Sequence, residues 1–453
     1  MNLADAHVLV LGRGVTGEAV VECLEARGIA YTTVDAHAPA DFSRVADIDC
    51  SDYDIAVVSP GWPPSGPDIA ALQHAGVPVW SEVELAWQIR DPDTAWIVVT
   101  GTNGKTSTVE ILGAIAREAQ ISHAVVGNVG TPVVREAAAG HELLIVEASS
   151  FQLHFTHSMK PHASVILNIA DDHLDWHGSF AEYRRAKARV YKDTAVAAVY
   201  PADDPMIEQC VRDADVQEGC RAIGYSLGPP AVSQLGVVED LLVDRAFGQE
   251  RRSTAIEIGN LVDVHSTTKN PPGYAVRNAL AAAALARSVG ITPESVAAGI
   301  RAFRPGKHRG EIVAARDGVT YINNSKATNP HAARATFEAH SEASVVWIAG
   351  GLAKGARYDD LVTAVASQLR AVILIGEDSS ELSGALARHA PAIPLTRIKP
   401  GKTVMVRAVA AAADSARAGD TVLMCPASAS MDQFDGYHDR GEKFSQAVEA
   451  LAR

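Results

Sequence analysis

The segment TGTNGKTS, Thr100–Ser107, constrains this chain more than any other. It follows the apolar run AWIVVT (95–100) and precedes a helical stretch, Thr108–Arg117. A glycine-bearing loop between a buried strand and a helix start is where backbone N–H groups and the helix dipole can wrap a phosphate, and it demands an α/β layer. The spacing departs from G-x-x-x-x-G-K-[ST], because Val99 stands five residues before Gly104. Gly101 and Gly104 permit the wrap, Lys105 brings positive charge to terminal phosphates, and the Thr106 hydroxyl can ligate magnesium. The nucleotide contacts are therefore expected at Gly101, Thr102, Asn103, Gly104, Lys105, Thr106 and Ser107, against the plain alternative of a chance Gly-Lys turn.

At 453 residues the chain exceeds what one hydrophobic core organises, which implies two or three domains. Its 47% hydrophobic and 21% charged residues include no apolar run long enough to span a bilayer, so no membrane insertion is expected. The start MNLADAHVLVLG lacks a basic n-region and a small-residue cleavage site; it reads as a first strand, and the expected location is the cytoplasm. Cys23, Cys50, Cys210, Cys220 and Cys425 are odd in number and contain no C-x-x-C pair, against a disulfide framework or a structural zinc site. A formal charge of −14 argues against sequence-independent nucleic-acid binding, which needs a basic surface. An anionic ligand must meet local cations, and a nucleotide carried with a metal ion fits that condition.

Hydrophobic periodicity divides the chain into three units: 1–93, 94–303 and 304–453. HVLVLG (7–12), AYTTVD (30–35) and DIAVVSPG (54–61) read as strands of the first, with a helix over Val15–Arg27. AWIVVT, LLIVEAS (143–149) and ASVILNIA (163–170) have the continuous apolar character of parallel strands in the second. RPGKHRG (304–310) reads as a linker, after which TYINNS, SVVWIAGG, AVILIG and TVLMCPAS supply strands of the third; the Ala-rich 278–287 and 408–418 read as helices. The fold class is therefore α/β in three domains: N-terminal Rossmann-like, central P-loop ATPase-like, and C-terminal Rossmann-like.

Other residues are less specific by themselves. Gly12-Arg13-Gly14-Val15-Thr16-Gly17 is a G-x-G-x-x-G that could take a diphosphate of a nicotinamide or another nucleotide, or be only a tight strand-to-helix turn. Asp35, ending the next strand, could bind a ribose or a pyrimidine edge. Glu147 ends an apolar strand, where a carboxylate can reach magnesium or be an ordinary strand-end acid. His173 in NIADDHLDWHG could be a metal ligand or a loop histidine. Lys187 in YRRAKARVY reads on pattern alone as part of a solvated basic helix face.

These segments occur together and in an order similar to that of the muramyl ligases. TGTNGKTS, GNVG (127–130), EASSFQL (147–153), DDH (171–173) with YRRAKARVY behind it, HRGE (308–311), NNSKATNP (323–330), GG-x-x-KG (350–355) and PASASMDQFDGY (426–437) carry the resemblance across essentially the whole chain. Several segments are shared with sister ligases and folylpolyglutamate synthases, whereas SKATN with S-A-S-x-D-Q-F resembles the D-glutamate-adding branch. The resemblance implies ATP-dependent addition of D-glutamate to UDP-N-acetylmuramoyl-L-alanine through an acyl phosphate, in peptidoglycan precursor synthesis, by a monomer. Addition of another amino acid, or folylpolyglutamate synthesis, is the alternative; a nucleotide-driven switch or a dehydrogenase would belong to another class.

The roles below follow from that resemblance. Lys105, His173 and Lys187 would be catalytic. Thr106 and Glu147 would hold one magnesium ion, and His173 a second together with Lys187 as a carbon-dioxide-derived carbamate. Asn278, Arg309 and Asn324 would contact ATP. Gly14, Val15, Thr16, Asp35, Ser59, Gly61, Asn128 and Ser149 would contact the UDP substrate, and Lys326, Thr328, Lys354, Ser430 and Tyr437 would contact D-glutamate. The third unit would swing to close the site. The chain departs from many relatives at Asn324, where they carry Asp, and from some at Ala36 and His37, where they carry Thr and Arg, and at Tyr437, where they carry Phe.

Overall fold

The structure, a computed structural model, describes residues 3–264, 271–337 and 340–451. Along strand β1 (His7–Leu11) alternate side chains leave for opposite faces: Val8 and Val10 join one apolar cluster, Leu9 and Leu11 another. Burial on both faces is what a parallel strand flanked by helices requires. β2 (Ala30–Val34), β3 (Ile55–Val58) and β4 (Val79–Ser81) complete an all-parallel sheet in the order β2-β1-β3-β4.

The second sheet is built around the strand that leads into TGTNGKTS. This is β5 (Ala95–Thr100), with β6 (His123–Gly127), β7 (Leu143–Glu147), β8 (Ala163–Ile166) and β9 (Ala197–Pro201) parallel to it in the order β9-β8-β5-β7-β6. Because these strands run one way, the loops after β5, β6, β7 and β8 leave at a single edge, the place where open α/β sheets bind ligands. β10 (Arg221–Tyr225), β11 (Gln234–Val238), β12 (Leu241–Asp244) and β13 (Ile256–Asn260) extend the other side, the last two pairings being antiparallel. Helical and strand elements are expected from the sequence as far as Phe303, but none of these four strands is marked individually.

The third sheet runs β14-β15-β19-β16-β17-β18, from β14 (Glu311–Arg316), β15 (Val319–Asn323), β16 (Val345–Gly350), β17 (Leu369–Ile375), β18 (Leu395–Arg397) and β19 (Thr421–Met424). Only the β14–β15 hairpin is antiparallel. On β16, Val345 and Trp347 face one apolar cluster while Val346 and Ile348 face the other. The fold is mixed α/β with parallel-rich sheets.

The chain forms two compact units, Met1–Asp263 with Arg277–Phe303, and Val264–Val276 with Arg304–Arg453. The first two sheets share a unit because they share a core. Val8, Val10 and Trp87 cluster with Trp96 and Leu144, and the Trp87 and Trp96 rings meet edge-on at 5.2 Å. All five cysteines are free, three of them buried. Among the described residues no helix is long and apolar enough to cross a membrane.

Candidate active site

The phosphate loop is shaped by a left-handed glycine and held by a neighbouring strand exit. Gly104 lies at φ +85° and caps the helix Lys105–Glu118, which starts three residues before the expected Thr108. A Cβ at Gly104 would stand 2.6 Å from Oδ1 of Asn278, so Asn278 borders the loop. Asn168, at the exit of β8, accepts from Asn103 N through Oδ1 at 2.8 Å and returns a bond from Nδ2 to Asn103 O at 3.0 Å. The Tyr183 hydroxyl pairs with Thr102 Oγ1 at 2.9 Å.

Two lysines converge on this loop. Lys105 Nζ donates to Gly101 O at 2.9 Å and to Thr102 O at 3.1 Å, and Lys187 Nζ donates to the same Gly101 O at 2.9 Å. Lys187 is only 2% exposed and its ammonium lies 4.7 Å from the centre of the Tyr183 ring. The expectation of a solvated basic face fails for this residue: its helix, Phe180–Ala188, turns Tyr183 and Lys187 inward, one turn apart. Burial drives the Lys187 pKa well below the usual lysine value; Lys105 adds to the fall, and Asp172 and Glu147 oppose it. Lys105 is lowered as well, by burial, with Glu147 and Asp172 opposing.

Glu147, 2% exposed at the end of β7, accepts from Asn128 Nδ2 through Oε1 at 3.1 Å, while its Oε2 is buried with no hydrogen-bond partner. An orphaned buried carboxylate oxygen is costly unless a cation completes it. Among the described residues no three His, Cys, Asp or Glu side chains form a ready cage. A magnesium ion, which takes one or two carboxylates plus phosphate oxygens and water, would complete the orphaned oxygen of Glu147. Glu147 and the Thr106 hydroxyl are the groups that fit it. His173 adopts a left-handed φ of +52°, sets its ring against Phe151 at 4.8 Å and lies 3.7 Å from Asp172 Oδ2. Burial lowers its pKa against the pull of Asp172.

The expected UDP-contact residues all lie in the first unit. Ser149 serves the fold: its hydroxyl caps the helix Ser150–His154 in a reciprocal pair with Gln152. Asp35 is not a bare strand-end acid. Its Oδ2 accepts from Arg13 N at 2.6 Å and its Oδ1 from His37 N at 2.7 Å and Ala38 N at 2.9 Å, bonds that depress its pKa. The turn itself is tight, since a Cβ on Gly17 would sit 1.8 Å from Gly12 O, and Ser59 Oγ donates to that carbonyl at 3.3 Å. Gly14 caps the helix Val15–Arg27, leaving Gly14, Val15 and Gly61 exposed and Thr16 half-buried.

In the second unit the D-glutamate candidates lie on loops tied together by Arg440, which the sequence reading missed. Fully buried, Arg440 donates to Ser325 Oγ at 3.1 Å, Ser325 O at 2.9 Å and Ser428 O at 3.0 Å; burial lowers its pKa to about 10. Ser325 Oγ in turn donates to Tyr437 O at 2.7 Å, and the Lys326 ammonium lies 4.0 Å from the centre of the Tyr437 ring. Leu352 and Ala429 exchange backbone bonds at 2.9 and 3.0 Å, which brings the loop of Lys354 (φ +49°) beside that of buried Ser430. Thr328 N closes a turn on Lys326 O at 2.9 Å. Asn324 donates from Nδ2 to Thr336 Oγ1 at 2.7 Å, and half-buried Arg309 follows His308, another left-handed residue at φ +67°. The signals for the missed residues lay close by: Asn168 opens the NIADDH segment, Tyr183 precedes Lys187 by one helical turn, and Arg440 follows Tyr437 by three.

Comparison with known proteins gives the chain a family. Residues 99–286 match the Mur ligase middle domain, and residues 308–428 match the Mur ligase, glutamate ligase domain. The UDP-N-acetylmuramoylalanine–D-glutamate ligase of Streptomyces avermitilis is 47% identical over 470 residues, covering 99% of each chain. That of Thermobifida fusca is 45% identical over 473 residues, covering 100% of each. Among solved structures, MurF ligase from Thermotoga maritima in complex with ADP shares the fold at a TM-score of 0.59 with 16% identity, covering 99% of this chain and 96% of that one. The chain belongs to the Mur ligase family, alongside members named UDP-N-acetylmuramoylalanine–D-glutamate ligase.

Proposed function

We propose that this chain joins D-glutamate to UDP-N-acetylmuramoyl-L-alanine in peptidoglycan precursor synthesis, with ATP converted to ADP and phosphate. The observation that carries the chemistry is the meeting of Lys105, Lys187 and the orphaned Oε2 of Glu147 around the TGTNGKTS loop. The substrate assignment rests on full-length similarity to relatives bearing that enzyme's name. We read the chain's location as the cytoplasm, where ATP is supplied. We also read three domains, 1–93 for the UDP substrate, 94–303 for ATP and 304–453 for the amino acid, each on its own sheet.

The difficulty of the reaction is electrostatic: a substrate carboxylate must approach an anionic γ-phosphate. Lys105, released from Gly101 O and Thr102 O, supplies its charge to the terminal phosphates and stabilises the charge of phosphoryl transfer. Magnesium held by Glu147 and Thr106 would supply further positive charge to the β- and γ-phosphates. Asn128, already bonded to Glu147, orients the acceptor beside that carboxylate. The D-glutamate amine attacks the acyl carbon of the acyl phosphate so formed, the carbon–oxygen bond to phosphate breaks, phosphate leaves and the nitrogen loses a proton to solvent. Lys326 and Lys354 neutralise the carboxylates of D-glutamate while Thr328, Ser430 and Tyr437 donate hydrogen bonds.

Lys187 needs a different state. Burial shifts Lys187 towards the neutral amine, the form that adds to carbon dioxide: the nitrogen lone pair bonds carbon, a proton leaves to solvent, and a carbamate anion replaces the cation. That anion removes the repulsion from Lys105 and, with His173, offers oxygen and nitrogen ligands to a second magnesium ion. The function is tested by incubating the purified chain with ATP and each substrate alone and together. ADP release without the UDP-muramoyl-alanine acceptor contradicts it, as does release with NADH binding but no ligation.

A further inference from the structure

One buried acid takes no part in the chemistry above. Glu82 opens the helix Glu82–Ile89 immediately after β4 and is 2% exposed. Its Oε1 accepts from Val134 N at 2.6 Å, and its Oε2 is buried with no partner. Val134 belongs to the short helix Val133–Glu136, the first structure after the loop that carries Asn128. That loop is closed by Gly127 N on Thr131 O at 2.9 Å, and Asn128 N donates to Glu147 O at 2.9 Å. Glu82 thus fixes one end of a segment whose other end holds the acceptor contact against the carboxylate of Glu147.

Glu84, one residue beyond Val83, repeats the arrangement on the next strand exit. It is 1% exposed, and its Oε2 accepts from His157 N at 2.7 Å and Ser158 N at 3.1 Å. Ser81 Oγ pairs with Thr156 Oγ1 at 2.8 Å. Residues 156–158 follow the helix Ser150–His154, which leaves β7 just after Glu147. A single turn of chain, Ser81–Glu84, therefore grips the segments behind both β6 and β7, whose ends carry Asn128 and Glu147. An apolar spacer would suffice if this turn only filled space; two buried carboxylates that accept from Val134 N, His157 N, Ser158 N and Ser158 Oγ specify the position of each loop.

We propose that Glu82 and Glu84 are positioning residues for the acceptor substrate, acting through the loops of Asn128 and Glu147 without touching substrate themselves. The proposal rests on the acceptor reading of Asn128 given above. Replacing Glu82 by Ala removes a charge-assisted bond to a loop-anchoring amide, so KM for the UDP-muramoyl-alanine acceptor should rise about tenfold while KM for ATP stays within about twofold. Glu82→Gln keeps an accepting oxygen and should restore the acceptor KM. Equal changes in both KM values, or an unchanged acceptor KM in Glu82→Ala, overturn the proposal. Since Ala can leave a cavity that unfolds the chain, amide exchange of the wild-type protein is followed as well. Val134 N–H should exchange slowly and more slowly still with acceptor bound; exchange at the rate of an open amide overturns the proposal without any variant. A wild-type protein that forms ADP without needing the acceptor instead sinks the functional reading, which keeps the two failures apart.

Discussion

Replacing Glu82 by Gln should stabilise this protein in a pH-dependent way. Burial raises the Glu82 carboxyl from 4.5 to about 7, against the opposing bond from Val134. A raised carboxyl pKa means that the folded state binds the proton more tightly than the unfolded chain, so stability falls as pH climbs from 4.5 and levels off above about 7. At about 1.4 kcal/mol per pH unit, ionisation withholds about 3 kcal/mol from the wild-type fold at pH 8. Glu82→Gln has no such term. With an unfolding entropy near 2 cal/mol/K per residue over the roughly 290 residues of the first unit, the variant should melt about 5 °C above wild type at pH 8, the gap shrinking towards zero at pH 5. Calorimetric scans of both proteins across that range read the difference, in which the other titrating groups cancel. Parallel melting curves at all pH values would refute the burial argument.

Lys187→Ala should lose at least two orders of magnitude in ligation, and short-chain carboxylates should restore part of it; intact-mass measurement of wild type under bicarbonate should show one added carbon dioxide, and full activity of the unrescued variant would exclude the carbamate. Gly17→Ala drives a methyl group to 1.8 Å from Gly12 O, so it should cost about 2 kcal/mol or more and weaken the UDP substrate more than ATP, read from melting and from the two KM values. Tyr183→Phe deletes the bond to Thr102 Oγ1 and should raise KM for ATP several-fold, about 1 kcal/mol, with little change in the D-glutamate KM. Arg440→Lys cannot hold Ser325 and Ser428 together, and should raise the D-glutamate KM about tenfold or more while the acceptor KM stays near wild type.

What could be read from the sequence was what depends on neighbours along the chain. A phosphate loop must be a local run of glycine, lysine and hydroxyl between strand and helix, so Gly104–Thr106 and Gly12–Gly17 announced themselves, and the continuous apolar strands announced parallel sheets. Lys187 could not be read from its own segment, because the carbonyl it meets is Gly101, 86 residues away. Glu82 and Val134 lie 52 residues apart, and Arg440 and Ser325 lie 115 apart; no periodicity encodes such pairs. The shared core of the first two sheets was equally hidden, since Trp87 and Trp96 read as parts of different units until their rings are seen together. β11 and β13 carry mixed and partly exposed residues, and β12 has only four residues, so none has the long apolar run that marked the central strands.

The central claim is tested most directly by ligation with competing amino acids. The purified chain is given ATP, magnesium and UDP-N-acetylmuramoyl-L-alanine with D-glutamate, L-glutamate, L-alanine or meso-diaminopimelate, and the products are weighed by mass spectrometry alongside ADP. The account predicts an adduct and matching ADP with D-glutamate alone. An adduct with another amino acid in place of D-glutamate, or ADP without any adduct, would contradict it.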